Sequence, residues 1–87
     1  MVGKVDARLI EQGIELPKAA SPAANYVPYI IAGPLVYVSG QITSRNGELQ
    51  YLGRLGENID NEMGYQAAQI CGLNLIAHVK KACDGDL

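Results

Sequence analysis

The side chains here that could meet a ligand are polar rather than strongly nucleophilic: Tyr26, Ser39 with Gly40 and Gln41 directly after it, a single histidine, His78, and two thiols, Cys71 and Cys83. Ser39 and Gly40 close an apolar run, Leu35-Val36-Tyr37-Val38. A hydroxyl can donate or accept a hydrogen bond, and a glycine beside it lets a ligand or another backbone come close. Ser39 therefore reads either as a hydrogen-bonding group in a cleft or as a hydroxyl that satisfies backbone at a strand end. Covalent catalysis through Ser39 is not expected, since no His or Lys base stands near it in sequence.

Tyr26 could close a pocket with its ring and hydroxyl or pack in the core beside Tyr29, and its spacing to Ser39 favours the pocket. His78, between Ala77 and Val79, reads as a surface or interface residue rather than a ligand. There is no His/Cys/Asp cluster at metal-ligand spacing, so no metal is expected. Cys71 and Cys83 read as small packing residues of one helix, about 18 Å apart along it and unable to bridge. Asp84 and Asp86 lack the alternating ligand run of a calcium loop and read as a solvated turn.

The elements that must position these residues follow from the pattern. Leu35 to Ile42 reads as a strand buried on both faces or nearly so, extending to residue 43. Tyr29 to Ala32 is an antiparallel partner across Gly33-Pro34, and Asn46-Gly47 signals a hairpin into a third strand over 48–52. Residues 4–12 form a short helix with Val5, Leu9 and Ile10 on one side and Gly13 as its stop. Pro17 to Pro28 reads as an extended, partly polyproline-like segment. Asp60 is the expected N-cap of a long helix over about 61–83, with Ala68, Cys71, Leu75, Val79 and Ala82 as its sheet-facing stripe. Ile70, Leu73, Ile76 and Ala77 spread apolar surface further round that helix, which implies burial against a partner subunit or a second half.

The chain of 87 residues, 48% hydrophobic, reads as one small α+β domain or part of one: a 1–24 extension, strands over 25–59 and a long helix over 60–83. A net charge of −2 with scattered basic residues argues against a nucleic-acid partner. No apolar run nears the roughly 20 residues of a membrane span and no signal-peptide core is present, so a reduced, cytoplasmic setting is expected.

Asn25-Tyr26-Val27-Pro28-Tyr29, then Gly33, the Leu35 to Ile42 stretch with Ser39-Gly40-Gln41, and a helix carrying Ala67-Ala68 and Leu73-Asn74-Leu75 resemble the first half of the Rid family (reactive intermediate deaminase, YjgF-like, also called endoribonuclease L-PSP). The tyrosine thirteen residues before the serine and the long helix after it occur in the same order and spacing. Gly13-Ile14-Glu15-Leu16-Pro17 resembles a less characterised branch of that family. The resemblance covers essentially the whole chain. It implies a chorismate-mutase-like α+β domain, here incomplete, assembled as a homotrimer with a cleft at each subunit interface. It also implies cofactor-free hydrolysis of enamines or imines such as 2-aminoacrylate to 2-keto acids and ammonia. Tyr26, Ser39 and Gly40 match cleft positions that would hold a small carboxylate-bearing molecule. The family's carboxylate-binding arginine and its acidic neighbour match nothing in residues 1–87, and Arg54 matches no part of the motif. These residues alone are thus expected to lack deaminase activity. A non-catalytic small-molecule-binding or interaction protein on the same trimeric scaffold is the alternative.

Overall fold

The computed structural model describes residues 3–19 and 27–87. The element order is α1 (Lys4–Glu11), β1 (Tyr29–Ala32), β2 (Leu35–Val38), β3 (Ser44–Arg45), β4 (Glu48–Leu49) and α2 (Asn61–Ala82). This is the expected α+β arrangement, with antiparallel strands packed against one long helix and a short helix ahead of them. The Asp60 carboxylate accepts from the Met63 amide at 2.8 Å. It takes up one of the donors that an α-helix leaves unpaired in its first turn, and Lys80 and Lys81 sit in the last turn, where the helix dipole favours cations.

β1 and β2 pair antiparallel through the Gly33-Pro34 turn, with Tyr29 opposite Val38 and Ala32 opposite Leu35. Directly opposed residues share a face, so Ile30 with Tyr37 and Ala32 with Leu35 form one side of this hairpin. All four are exposed, Tyr37 at 59%. On the other side Tyr29, Val36 and Val38 are half-buried, and the Tyr29 ring meets His78 of α2 with centroids 6.5 Å apart. The expected double-sided burial of β2 is thus corrected, because α2 covers one face only.

The strand also ends earlier than the apolar run suggests, at Val38 rather than 43. Three strands in one sheet become two separate hairpins, β1-β2 and β3-β4. The second turns at Asn46-Gly47 as expected, with positive φ at both residues (51° and 89°), the requirement of a type I′ turn. Its second arm is only Glu48–Leu49, since Tyr51 takes a positive φ of 53° that no strand continues through.

The buried line of α2 is Ile70, Asn74, Ala77 and His78, not the apolar stripe named from spacing; Ala68 and Leu75 are exposed. A reading that counts only apolar side chains sets the helix at the wrong rotation when polar residues face inward. His78, expected at a surface or interface, is only 4% exposed. On α1, Ile10 and Val5 are exposed, while the acidic Asp6 is buried. Asp6 ties α1 to the last turn of α2 and the segment after it: its carboxylate accepts from Lys80 Nζ and from the Leu87 amide, both at 2.9 Å.

Candidate functional site

Ser39 stands one residue past β2, where its amide still reaches the Pro28 carbonyl at 3.1 Å. Its hydroxyl lies 3.0 Å from the Val27 carbonyl and 3.1 Å from that of Pro28. Both neighbours are acceptors only, so the one hydroxyl proton is committed to them and Oγ offers lone pairs to anything else. Ser39 thus satisfies backbone, as one reading of the sequence had it, and keeps acceptor capacity toward a ligand. A group that reaches this oxygen must donate to it, as an N–H does and a carboxylate does not.

Gly40 is exposed, and among the described residues nothing lies within 4 Å of the position its Cβ would take. Packing among the described residues therefore does not demand a glycine here. Its amide has no acceptor among the described residues. Side by side, Ser39 offers an acceptor and Gly40 a donor. Tyr26, the third residue expected at the cleft, lies outside the described residues. Its chain neighbour Val27 is the residue whose carbonyl Ser39 holds.

The chain beyond Gly40 is held by Gln41, Cys71 and a residue that sequence reasoning missed, Asn74. Gln41 Nε2 donates back to the Ser39 carbonyl at 3.0 Å. From α2, Cys71 Sγ lies 3.7 Å from the Gln41 carbonyl, and Asn74 Nδ2 donates to the carbonyls of Ile42 (3.2 Å) and Ser44 (2.8 Å). Asn74 is 7% exposed. The signal that could have found it is its place between Leu73 and Leu75, since a carboxamide inside an apolar helical stretch needs partners if it is buried.

The titratable groups lie elsewhere. Burial pushes the His78 imidazole below its ordinary pKa of 6.5, with the nearby Lys81 charge adding to the effect, and its Nδ1 is buried without a partner among the described residues. The Leu87 amide, then the Lys80 ammonium, hold the Asp6 carboxyl below the ordinary 3.8. Arg54 lies in the loop ahead of α2, with its guanidinium exposed and 4.0 Å from Glu57. A shallow groove of about 360 Å³ between α1 and the end of α2 is lined by Asp6, Leu9, Ile10, Leu16 and Lys80, among others, and includes neither Ser39 nor Gly40. Cys71 and Cys83 are free thiols. Among the described residues no three His, Cys, Asp or Glu side chains are grouped to hold a metal, and no helix is long and apolar enough to cross a membrane.

With this geometry in hand, comparison with known proteins is decisive at the level of family. The profile described as "YjgF/chorismate mutase-like, putative endoribonuclease" matches residues 6–87. The chain belongs to the YjgF family. Protein TCP17 of Trypanosoma cruzi is 39% identical over 85 residues, covering 98% of this chain and 52% of that protein. The crystal structure of "a putative endoribonuclease" from Shewanella oneidensis MR-1 superposes with a TM-score of 0.83 at 40% identity, over 91% of this chain and 52% of that one. The protein Atu1372 of Agrobacterium tumefaciens, of unknown function, gives 0.77 at 42% identity, over 95% and 50%. The chain thus spans about half the length of these YjgF-family relatives and shares their fold.

Proposed function

We propose that the protein carrying this chain is a Rid-type deaminase that hydrolyses 2-aminoacrylate-like intermediates to 2-keto acids and ammonia. In this reaction the enamine tautomerises to the imine, water adds to the C=N carbon, and ammonia leaves as the C=O bond forms. The observation that carries the reading is the polarity of the Ser39–Gly40 pair. Ser39 Oγ is restricted to accepting and so suits the N–H of an enamine or imine. The open Gly40 suits close approach of the same small molecule, and its amide can donate to an oxygen. Family membership supports the chemistry, and the resemblance puts the carboxylate-binding arginine in the second half of the family's domain, so the proposal concerns the whole protein.

The site as described is a surface rather than a cavity, and a second wall is part of the proposal. We place it at a subunit interface of a homotrimer in a reducing, cytoplasmic setting. The exposed Ile30, Leu35 and Tyr37 support burial of this hairpin face against further protein. The alternative is a non-catalytic small-molecule-binding or interaction protein on the same scaffold.

The test generates 2-aminoacrylate in situ from serine with a dehydratase and follows keto-acid and ammonia release with the full-length protein present or absent. Faster release than the uncatalysed reaction supports deamination. No acceleration, with 2-oxobutyrate still bound, establishes the binding-protein reading instead.

A further inference from the structure

We propose that Asn74 is the positioning residue of the Ser39–Gly40 site, setting from α2 the course that the chain takes after Ser39. The inference rests on the reading that Ser39 and Gly40 face the ligand. β2 ends at Val38 and β3 begins at Ser44, so the backbone between them lies outside either hairpin's strands. Ser39 and Thr43 keep backbone bonds to Pro28 and Gln50, and helix side chains take up the carbonyls of Gln41, Ile42 and Ser44. The two hydrogens of Asn74 Nδ2 serve the Ile42 and Ser44 carbonyls, at 3.2 and 2.8 Å. The Ser44 amide donates to the same Ile42 carbonyl at 2.8 Å, so one carboxamide clasps a tight turn centred on Thr43. One helical turn earlier Cys71 reaches the Gln41 carbonyl, and Gln41 returns its own carboxamide to the Ser39 carbonyl. The direction in which Gly40 and Ser39 present their polar groups therefore follows from where α2 holds residues 41–44.

Other side chains do not replace this one. Aspartate brings acceptors to two carbonyls, leucine matches the shape but donates nothing, and glutamine is longer by a methylene group. The polar residue inside an otherwise apolar helical stretch thus does work that α2 packing alone does not require.

The experiment uses the full-length protein labelled with ¹⁵N. In the wild type, the Asn74 side-chain amide protons are expected to exchange at least about tenfold more slowly than those of Asn61 at the exposed start of α2; equal exchange overturns the proposal without any variant. Asn74→Ala is then compared with Ala77→Gly, which weakens the same helix at a buried residue with no bond to the 39–44 backbone. Asn74→Ala is expected to move the Gly40 to Thr43 amide resonances and to weaken binding of 2-oxobutyrate about tenfold. Ala77→Gly is expected to leave those resonances in place and the affinity within about twofold. Unmoved Gly40 resonances in Asn74→Ala, or equal effects in both variants, overturn the positioning role. If the wild type does not bind 2-oxobutyrate, the functional reading alone falls, and the resonance and exchange measurements decide the role of Asn74.

Discussion

His78 makes the stability of this fold sensitive to mild acid. The imidazole is 4% exposed, sits between α2 and the Tyr29 ring of β1, and has an Nδ1 with no partner among the described residues. The identified groups facing it are that tyrosine and Lys81 on its own helix, and neither is an anion that would welcome an imidazolium. Burial therefore holds the folded-state pKa below 6.5, while the unfolded chain takes up its proton near that value. Between the two the unfolded state binds more protons, so stability is complete above about pH 6.5 and falls as the pH drops toward the depressed folded value. One proton sets an upper slope of about 1.4 kcal/mol per pH unit. For a domain of this size that is a Tm loss of up to about 5–11 °C per unit. The assay is thermal unfolding followed by circular dichroism from pH 7.5 to 5, on the wild type and on His78→Leu. The variant loses the ring contact with Tyr29, worth about 0.5–1.5 kcal/mol, but also removes a buried unpaired nitrogen that costs about 1–3 kcal/mol. Its Tm at pH 7.5 should match or exceed the wild-type value, and its profile should be flat across the window. A flat wild-type profile, or an unchanged slope in His78→Leu, would refute the reasoning.

Three further outcomes follow from the same contacts. Asp60→Ala removes the acceptor for the Met63 amide and should lower stability by about 1 kcal/mol in denaturant melts, with faster amide exchange in the first turn of α2. Asp6 loses its hold on Lys80 and on the Leu87 amide when protonated; its folded pKa is depressed, so its contribution is present above pH 3.8 and lost as the pH falls through the lower folded value. Asp6→Asn should therefore speed proteolytic cleavage around residues 13–19 at neutral pH, and cleavage at the wild-type rate would contradict the clamp. Ser39→Ala should slow keto-acid release from 2-aminoacrylate about 10- to 100-fold while changing 2-oxobutyrate affinity by less than about threefold, because only the nitrogen-bearing ligand donates to Oγ. Equal losses for both ligands would sink the acceptor role.

Much of this architecture was legible in the residues. Asn46-Gly47 announced its turn because few other residues tolerate two successive positive φ values, and Asp60 marked the start of α2 because its carboxylate meets a bare amide in the first turn. Ser39 and Gly40 stood out as small polar residues ending an apolar run, and the structure puts them just past the end of β2. The end of β2 was not legible, because Ile42 and Thr43 have strand character in isolation; donors some 30 residues later in sequence turn the chain away from the ladder. The rotation of α2 escaped for a related reason, since Asn74 and His78 look outward by polarity and face inward by partnership.

Local chemistry, then, decided the elements of this protein: the turn at Asn46-Gly47, the cap at Asp60, the helical span that follows and the small polar pair at 39 and 40 are each set by a residue and its near neighbours. Only the tertiary structure decided which face of α2 is buried, that the Ser39 hydroxyl proton is taken up by the Val27 and Pro28 carbonyls, and that Asn74 of α2 reaches the Ile42 and Ser44 carbonyls. Those features depend on carbonyls and side chains brought together from distant positions, and hydrogen-bond satisfaction across such a gap leaves no periodic mark in the sequence.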